Sequence, residues 1–367
     1  MDSMKTITIV TPFLSGFGGT EQVIRTLLRN VSNKDVEQKQ FLFKLALLGG
    51  TLDKNWTNET NTKFFNLKLP KAFRKIEYLF RLPYWCYKLL RESNDIFVCT
   101  NPYIWTILWL LKTVQRKNIL VVAWYHFSLV QKPINALLLR ASDKYLAISS
   151  GIKRELIRRG ISQEDIGLVF NPVNTTISES LIDSPKKAFL DLIYIGRFDY
   201  SGQKNVSEIF LALSKVKTAY RLRIYGQGKD QAKLEKLANH LSIAGEINFE
   251  GFSSNVWSEV KYADALLLSS KFEGLPLVLI ESIAHGVPVI SSNCPTGPED
   301  IVDDTKNGFL YDMGQINQFA ECIENIKQIR AAYTPKEIAA TVRQFDADRY
   351  AERFISLMGR WTDSNVE

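Results

Sequence analysis

Histidine and cysteine are scarce, three and four residues in a chain of 367. The cysteines, Cys86, Cys99, Cys294 and Cys322, are scattered without the close pairing a zinc site needs. That argues against zinc and fits a reducing cytoplasm, where thiols stay free. No apolar run reaches the roughly 20 residues required to span a bilayer. The longest, around Ile104 to Leu111, reads as a buried helix. A secretory leader is not expected, because the strand-like run Thr6-Ile-Thr-Ile-Val-Thr11 comes almost at once. No Ser/His/Asp order, metal-ligand cluster, Walker motif, internal repeat or low-complexity tract is apparent, so hydrolase and NTPase readings lack support.

What is present is ordinary globular composition, 46% hydrophobic and 23% charged, in a chain that suits two domains. The net charge of +7 is unevenly spread. Lys68, Lys71, Arg74, Lys75, Arg81, Lys88 and Arg91 face a single acid, Glu77, within one segment. Phe73, Tyr78, Leu79, Phe80, Tyr84, Trp85 and Tyr87 are interleaved with them. A second basic cluster, Lys153, Arg154, Arg158 and Arg159, follows in the same half. Cations mixed with aromatics suit an interfacial element on anionic lipid, which makes Lys68, Lys71, Arg74, Lys75 and Arg81 membrane-facing. The alternative is a solvated helix face whose aromatics turn into the core. Nucleic acid is not an expected partner.

Short apolar runs alternate with helical segments. Strands are expected at 6–12, 40–48, 95–100, 118–124 and 144–149, with helices at 21–30 and 151–159. Runs this short and continuous are those of buried parallel strands. The pattern breaks at Asn171-Pro-Val-Asn and the polar stretch 174–187, the best linker candidate. It restarts with strands at 190–195, 220–225, 247–249, 265–269, 288–291 and 308–311. Helices are expected at 230–241 and 279–285, and a last amphipathic helix at 338–361. Two tandem parallel α/β domains follow, with a cleft expected at the carboxyl ends of their strands.

Several residues in this frame could carry chemistry. Ser15-Gly-Phe-Gly-Gly-Thr-Glu21 lies between a strand and a helix, where glycines let backbone N–H groups approach a phosphate. It lacks the dinucleotide spacing and the P-loop Gly-Lys-Ser/Thr, and a tight turn would serve equally well. Arg197 and Lys204 follow a strand's carboxyl end and suit a diphosphate, one as a fork and one as a point charge, or they are solvated loop cations. His126 ends an apolar strand at the expected cleft; a satisfied core histidine is the alternative. His240 and His285 read as structural. Glu273 and Glu281 stand eight positions apart around an apolar run, with Glu273 on a Gly/Pro turn and Glu281 inside the opening of a helix. Buried carboxylates need partners. A polyol is one candidate, and a helix N-terminus that welcomes negative charge is the other.

These pieces, in this order, resemble the family-4 retaining glycosyltransferases of the GT-B fold. The matching residues are Gly18-Gly19 with Glu21, His126, Ser149-Ser-Gly151, Asn171-Pro, Gly196-Arg197, Lys204, Gly226-Gln-Gly228, and Phe272-Glu-Gly-Leu-Pro276 through Glu281. The resemblance spans nearly the whole chain and is strongest in the second half. Within the family the chain looks most like the bacterial lipopolysaccharide core 1,6-galactosyltransferases, on runs such as Phe170-Asn-Pro-Val173 and Ser270-Lys-Phe-Glu-Gly274.

The resemblance implies an α/β architecture of two Rossmann-like domains whose parallel sheets face a central cleft. Residues 1–180 would form the acceptor-side domain, with a C-terminal helix at about 350–367 packing back on it. Residues 188–349 would bind the donor. Arg197 and Lys204 would hold the donor diphosphate, while Gly18, Gly19, Gly196, Gly274, Leu275 and Pro276 would line phosphate or sugar. Glu273 would bind hydroxyls of the transferred sugar, Glu281 the ribose, and His126 the sugar near its reacting carbon. The base would lie near Tyr225-Gly226 and Gly251-Phe252. No cofactor and no metal are expected, because cationic side chains and helix dipoles do a metal's electrostatic work. The bond to phosphate would break with oxocarbenium-like character and retained configuration, and the domains would close around the donor.

Residues 51–91 are the least family-like. The acceptor therefore stays open among a lipopolysaccharide core, a lipid-carried polymer repeat and a teichoic-acid-like chain. The expected donor is a UDP-hexose, galactose or glucose, and the expected location is the inner face of the cytoplasmic membrane, peripherally attached. A nucleotide-sugar epimerase or phosphorylase-like enzyme of the same fold, and a non-catalytic membrane-bound sugar-binding module, are the competing readings.

Overall fold

The computed structural model describes residues 4–16, 18–32, 41–92, 95–173, 181–183 and 188–363. Its first strand, β1 (Lys5–Leu14), buries Thr6 to Thr11 on both faces, as a central parallel strand must. The chain then alternates through α1 (Gly19–Ser32), β2 (Phe41–Thr51), β3 (Thr62–Asn66), α2 (Arg74–Leu90), β4 (Ile96–Cys99), α3 (Pro102–Val114) and β5 (Leu120–Trp124). It continues with α4 (Ala136–Arg140), β6 (Lys144–Ala147), α5 (Ser150–Arg158) and β7 (Ile166–Leu168). The seven strands pair in the order β3-β2-β1-β4-β5-β6-β7, parallel throughout.

A second sheet forms from β8 (Leu190–Ile195), β9 (Tyr220–Tyr225), β10 (Ile247–Gly251), β11 (Ala265–Leu268), β12 (Val289–Ser292) and β13 (Gly308–Tyr311). Its order is β10-β9-β8-β11-β12-β13, again all parallel. Between these strands run α6 (Val206–Leu213), α7 (Gln231–His240), α8 (Val256–Glu259), α9 (Leu277–Ala284), α10 (Pro298–Ile301), α11 (Ile316–Ala332) and α12 (Pro335–Ala340). In each sheet the strand order reverses beside the first strand, between β1 and β4 and between β8 and β11. Ligands of open α/β sheets bind at the carboxyl ends of strands at such a reversal.

The last helix, α13 (Ala347–Asp363), belongs with the first sheet. One compact unit is Met1–Pro172 with Ala347–Glu367, and the other is Val173–Asp346. Tyr350, Phe354, Leu357, Met358 and Trp361 form the buried stripe of α13. Phe354 sits 6.3 Å from Phe43 and 6.1 Å from Trp124, centroid to centroid. Burial of a side chain this size contributes about 1.5–3 kcal/mol.

The single helix expected over 338–361 is instead α12, a 3-10 turn at Arg343–Phe345, and α13. Phe345 is fully buried, its carbonyl accepts the Val173 N–H at 2.9 Å, and Asp346 is extended in a bridge to Val173. Tertiary pairing thus overrides helical periodicity there. Strands β3 and β7 were not expected. The linker candidate at 174–187 lies outside the described residues apart from 181–183.

Candidate active site

In the second unit, the loops after β8 and β11 meet at the strand-order reversal. The β8 strand runs into Gly196-Arg197, and the Gly196 N–H donates to the Tyr225 carbonyl at 3.0 Å. Gly226, with φ +142°, lies so close that a Cβ there would stand 1.9 Å from the Gly196 carbonyl oxygen. A Cβ on Gly228 would stand 2.2 Å from the Phe198 carbonyl oxygen. Only glycines allow this backbone-on-backbone turn. The turn forms one wall of an open pocket of about 810 Å³, whose other walls include Arg197, Gln231, Phe252, Ser253 and Val256. Gly251, at φ +83°, turns the chain from β10 to the exposed Phe252.

Arg197 stands at the pocket with its side chain 63% exposed. Its Nη2 lies 3.4 Å from Gln203 Oε1, and Gln203 Nε2 donates to the Phe272 carbonyl at 3.2 Å. Asp199 shapes the intervening loop by accepting the N–H groups of Gly202 and Lys204. The loop ends at Asn205, held in the left-handed region at φ 48°. This delivers Lys204 to Glu273: Nζ donates to Oε1 at 2.7 Å, with both side chains largely buried.

The Glu273 segment is fixed from the neighbouring loop after β12. Thr296 Oγ1 donates to the Glu273 carbonyl, and Gly297, at φ +99°, lies against Gly274, Leu275 and Pro276. Pro276 then precedes α9, so the helix N-terminus follows directly on this loop. Glu281 lies on that helix, half-buried, with the Trp257 Nε1–H donating to its Oε2 at 3.4 Å. His285 Nδ1 contacts the Glu281 carbonyl at 2.8 Å, and the His285 and Trp257 rings stack at 4.5 Å and 12°. Burial lowers the His285 pKa against the opposing effect of that backbone bond.

Gly18, Gly19 and His126 belong to the first unit. Glu21, on α1, is buried and accepts from Ser15 Oγ at 3.0 Å and from the Gly16 N–H at 3.1 Å. A Cβ on Gly18 would stand 2.5 Å from Glu21 Oε2, whereas one on Gly19 would meet nothing within 4 Å. His126 follows β5 and packs 4.6 Å from the Trp124 ring. The residue is half-buried overall, yet its Nε2 is enclosed and without a hydrogen-bond partner. Burial lowers its pKa to about 3, so the imidazole is neutral. The loop beyond it is pinned by buried Glu155, which accepts from Ser128 Oγ at 2.7 Å and the Leu129 N–H at 2.6 Å.

With this geometry in place, comparison with known proteins is decisive. Residues 17–177 match the model of Glycosyltransferase Family 4, and residues 179–357 match that of Glycosyl transferases group 1. The lipopolysaccharide 1,6-galactosyltransferase of Escherichia coli K12 is 31% identical over 95% of this chain and 96% of its own. That of Salmonella typhimurium is 32% identical over 95% and 97%. The chain is a family 4 glycosyltransferase. Among solved structures, the apo lipopolysaccharide outer core galactosyltransferase WaaB superposes with a TM-score of 0.85 at 28% identity, covering 97% of this chain and 99% of that one. Anabaena HepE in complex with UDP superposes at 0.76 and 15% identity over 96% and 100%, a likeness of GT-B fold.

Elsewhere on the transferase, α2 resolves the basic aromatic segment. Leu82, Trp85, Cys86, Leu89 and Leu90 face inward. Phe73, Ile76, Leu79, Phe80, Tyr84 and Tyr87 are exposed, and so are Lys68, Lys71, Arg74, Lys75 and Lys88. Glu77 is buried. It accepts the Lys68 and Leu69 N–H groups at 2.8–3.0 Å and pairs with Arg81 at 2.9 Å. Burial alone would raise its pKa, but these two N–H bonds, with Arg81 and Arg74, hold it below the usual range. Arg81 therefore turns to Glu77, and Arg159 of the second cluster donates to the Leu129 carbonyl at 2.6 Å. Among the described residues no cluster of His, Cys, Asp or Glu could hold a metal ion, and no helix is long and apolar enough to cross a membrane.

Three residues of the candidate site escaped sequence reasoning. Gln203 links Arg197 to the Glu273 loop, and its place between Arg197 and Lys204 in Ser-Gly-Gln-Lys was a usable signal. Thr296 and Trp257 sit in no motif, and only the folded chain brings them to Glu273 and Glu281.

Proposed function

We propose that this transferase moves a hexose, galactose or glucose, from a UDP-linked donor to a glycan or glycolipid acceptor of bacterial surface polysaccharide, with retention of configuration. The observation that carries the reading is the Lys204–Glu273 pair at the strand-order reversal, beside the pocket headed by Arg197. Arg197 and Lys204 supply positive charge where the leaving diphosphate gains negative charge, which is usually the largest catalytic contribution. Glu273 accepts hydroxyls of the transferred sugar and Glu281 those of the ribose. Phe252 offers a face to the base, next to Gly226 and Gly251. Gly196, and the Gly274-Leu275-Pro276 segment leading into α9, border phosphate and sugar. In the first unit, the backbone at Gly18 and Gly19 adds N–H donors, and the neutral imidazole of His126 contacts the sugar near its reacting carbon.

The names of the 1,6-galactosyltransferase relatives support galactose and a lipopolysaccharide-type acceptor. The exposed cations and aromatics of α2, with their one acid sequestered, support peripheral attachment to an anionic leaflet on the cytoplasmic side. No metal enters the proposed chemistry. The test is incubation with UDP-galactose or UDP-glucose and a truncated core oligosaccharide, followed by mass spectrometry and NMR of the new anomeric centre. An acceptor heavier by one hexose, with the donor's configuration, is expected. An altered donor formed without acceptor would favour an epimerase, and binding without turnover would favour a sugar-binding module.

A further inference from the structure

Glu281 is gripped at two points by two residues that also grip each other. The Trp257 indole N–H reaches the carboxylate, His285 Nδ1 reaches the main-chain carbonyl of the same residue, and the two rings lie nearly parallel in contact. Because that carbonyl can only accept, the imidazole is the Nδ1–H donor at this contact. Trp257 lies on α8, one residue after Val256 of the pocket wall. The wall on which a base would rest is thereby tied directly to the carboxylate on α9.

We propose that Trp257 is a positioning residue for ribose recognition, and that the Trp257–His285 stack aims the Glu281 carboxylate at the 2′- and 3′-hydroxyls of a nucleoside diphosphate. The inference rests on the reading of Glu281 as the ribose acceptor. A carboxylate on a flexible side chain must be oriented before it can accept two hydroxyls, and ordering it in advance lowers the cost of binding. The stacked imidazole fixes the indole plane, and the indole N–H fixes one carboxylate oxygen. At 3.4 Å the indole N–H bond is long, and a bound ribose on the carboxylate would shorten it.

The discriminating measurement is the ratio of the dissociation constants of UDP and 2′-deoxy-UDP, determined by calorimetry on the full chain. The unsubstituted enzyme should favour UDP by about tenfold, the scale of one hydrogen bond to a charged group. Trp257→Phe keeps a ring on His285 and removes the N–H; it should reduce that preference by about threefold or more while 2′-deoxy-UDP affinity changes little. His285→Phe, a second variant that releases the Glu281 carbonyl, should move the ratio the same way. Equal weakening of both ligands would mark Trp257 as merely structural and overturn the proposal, as would an unchanged ratio in both variants. Glu281→Gln separates the two levels. If it leaves the ratio unchanged, the ribose reading of Glu281 fails; if it abolishes the preference while Trp257→Phe does not alter it, only the positioning role fails.

Discussion

Lys204 Nζ donates to Glu273 Oε1 at 2.7 Å, joining the loop after β8 to the loop after β11 across the point where the strand order reverses. Each group satisfies the other, so neither is an uncompensated buried charge. On the proposed reading, a bound donor would place its diphosphate on Lys204 and its sugar hydroxyls on Glu273, replacing one pairing with two. Lys204→Ala and Glu273→Ala should each lower kcat/KM by about 10²-fold or more with the fold retained. The double variant should lose little beyond the worse single one, because the two act as a unit. Unchanged activity in both single variants would sink the mechanism.

Gly226 supplies a test of the pocket's architecture that leaves its charges untouched. Its φ of +142° and the 1.9 Å approach to the Gly196 carbonyl leave no space for a methyl group. Gly226→Ala should destabilise the protein by about 2 kcal/mol or more and weaken UDP binding. Gly245→Ala, whose Cβ would meet nothing within 4 Å, should stay within about 0.5 kcal/mol. Thermal melts with and without UDP compare the two.

The buried imidazole of His126 sets a pH dependence. Its folded pKa is about 3, against an ordinary value of 6.5. Between those values the unfolded chain binds more protons, so this residue's contribution is complete above about pH 6.5 and is lost as pH falls below it. Urea midpoints at pH 7.5 and 5.0 should differ more in the natural protein than in His126→Gln. The pH profile of kcat should carry no limb near 6.5 from this residue.

The α2 surface makes a charge-specific prediction. Phe80 is 82% exposed, and Lys71, Arg74 and Lys75 stand in the same exposed segment. At about 1 kcal/mol per basic residue near an anionic surface, reversing these three to Glu should reduce partition onto phosphatidylglycerol vesicles by about 100-fold or more. Binding to phosphatidylcholine should change little. Equal binding of both forms to anionic vesicles would leave a plain solvated face.

Most of the strand plan was legible because parallel strands covered on both faces are continuous apolar runs, as in Leu120–Trp124 and Ala265–Leu268. Strand β3, Thr62–Asn66, has a polar residue at either end and only Phe65 buried, and β7 is three residues long with a central glycine. Neither carries the signal of a covered strand. Candidate residues on motif glycines and charges could be proposed from the sequence, since close backbone approach, seen at Gly226, and diphosphate chemistry both constrain residue type. Trp257 was not, because its part depends on a stack with His285, which looked like an ordinary helix end. The exposure of Phe80 and Tyr84 is what the interfacial reading expected, whereas the inward turn of Trp85 was hidden: helical spacing gives faces, but it does not say which one the sheet covers.

The return of α13 to the first sheet reverses the order in which the two units can be completed. Residues 173–346 form a continuous stretch that can close its own core as soon as it leaves the ribosome. The first unit begins earlier but keeps Phe43 and Trp124 without their Phe354 neighbour until α13 emerges. During synthesis the first half therefore waits, incompletely sealed, for the seventeen residues of α13 to cover it.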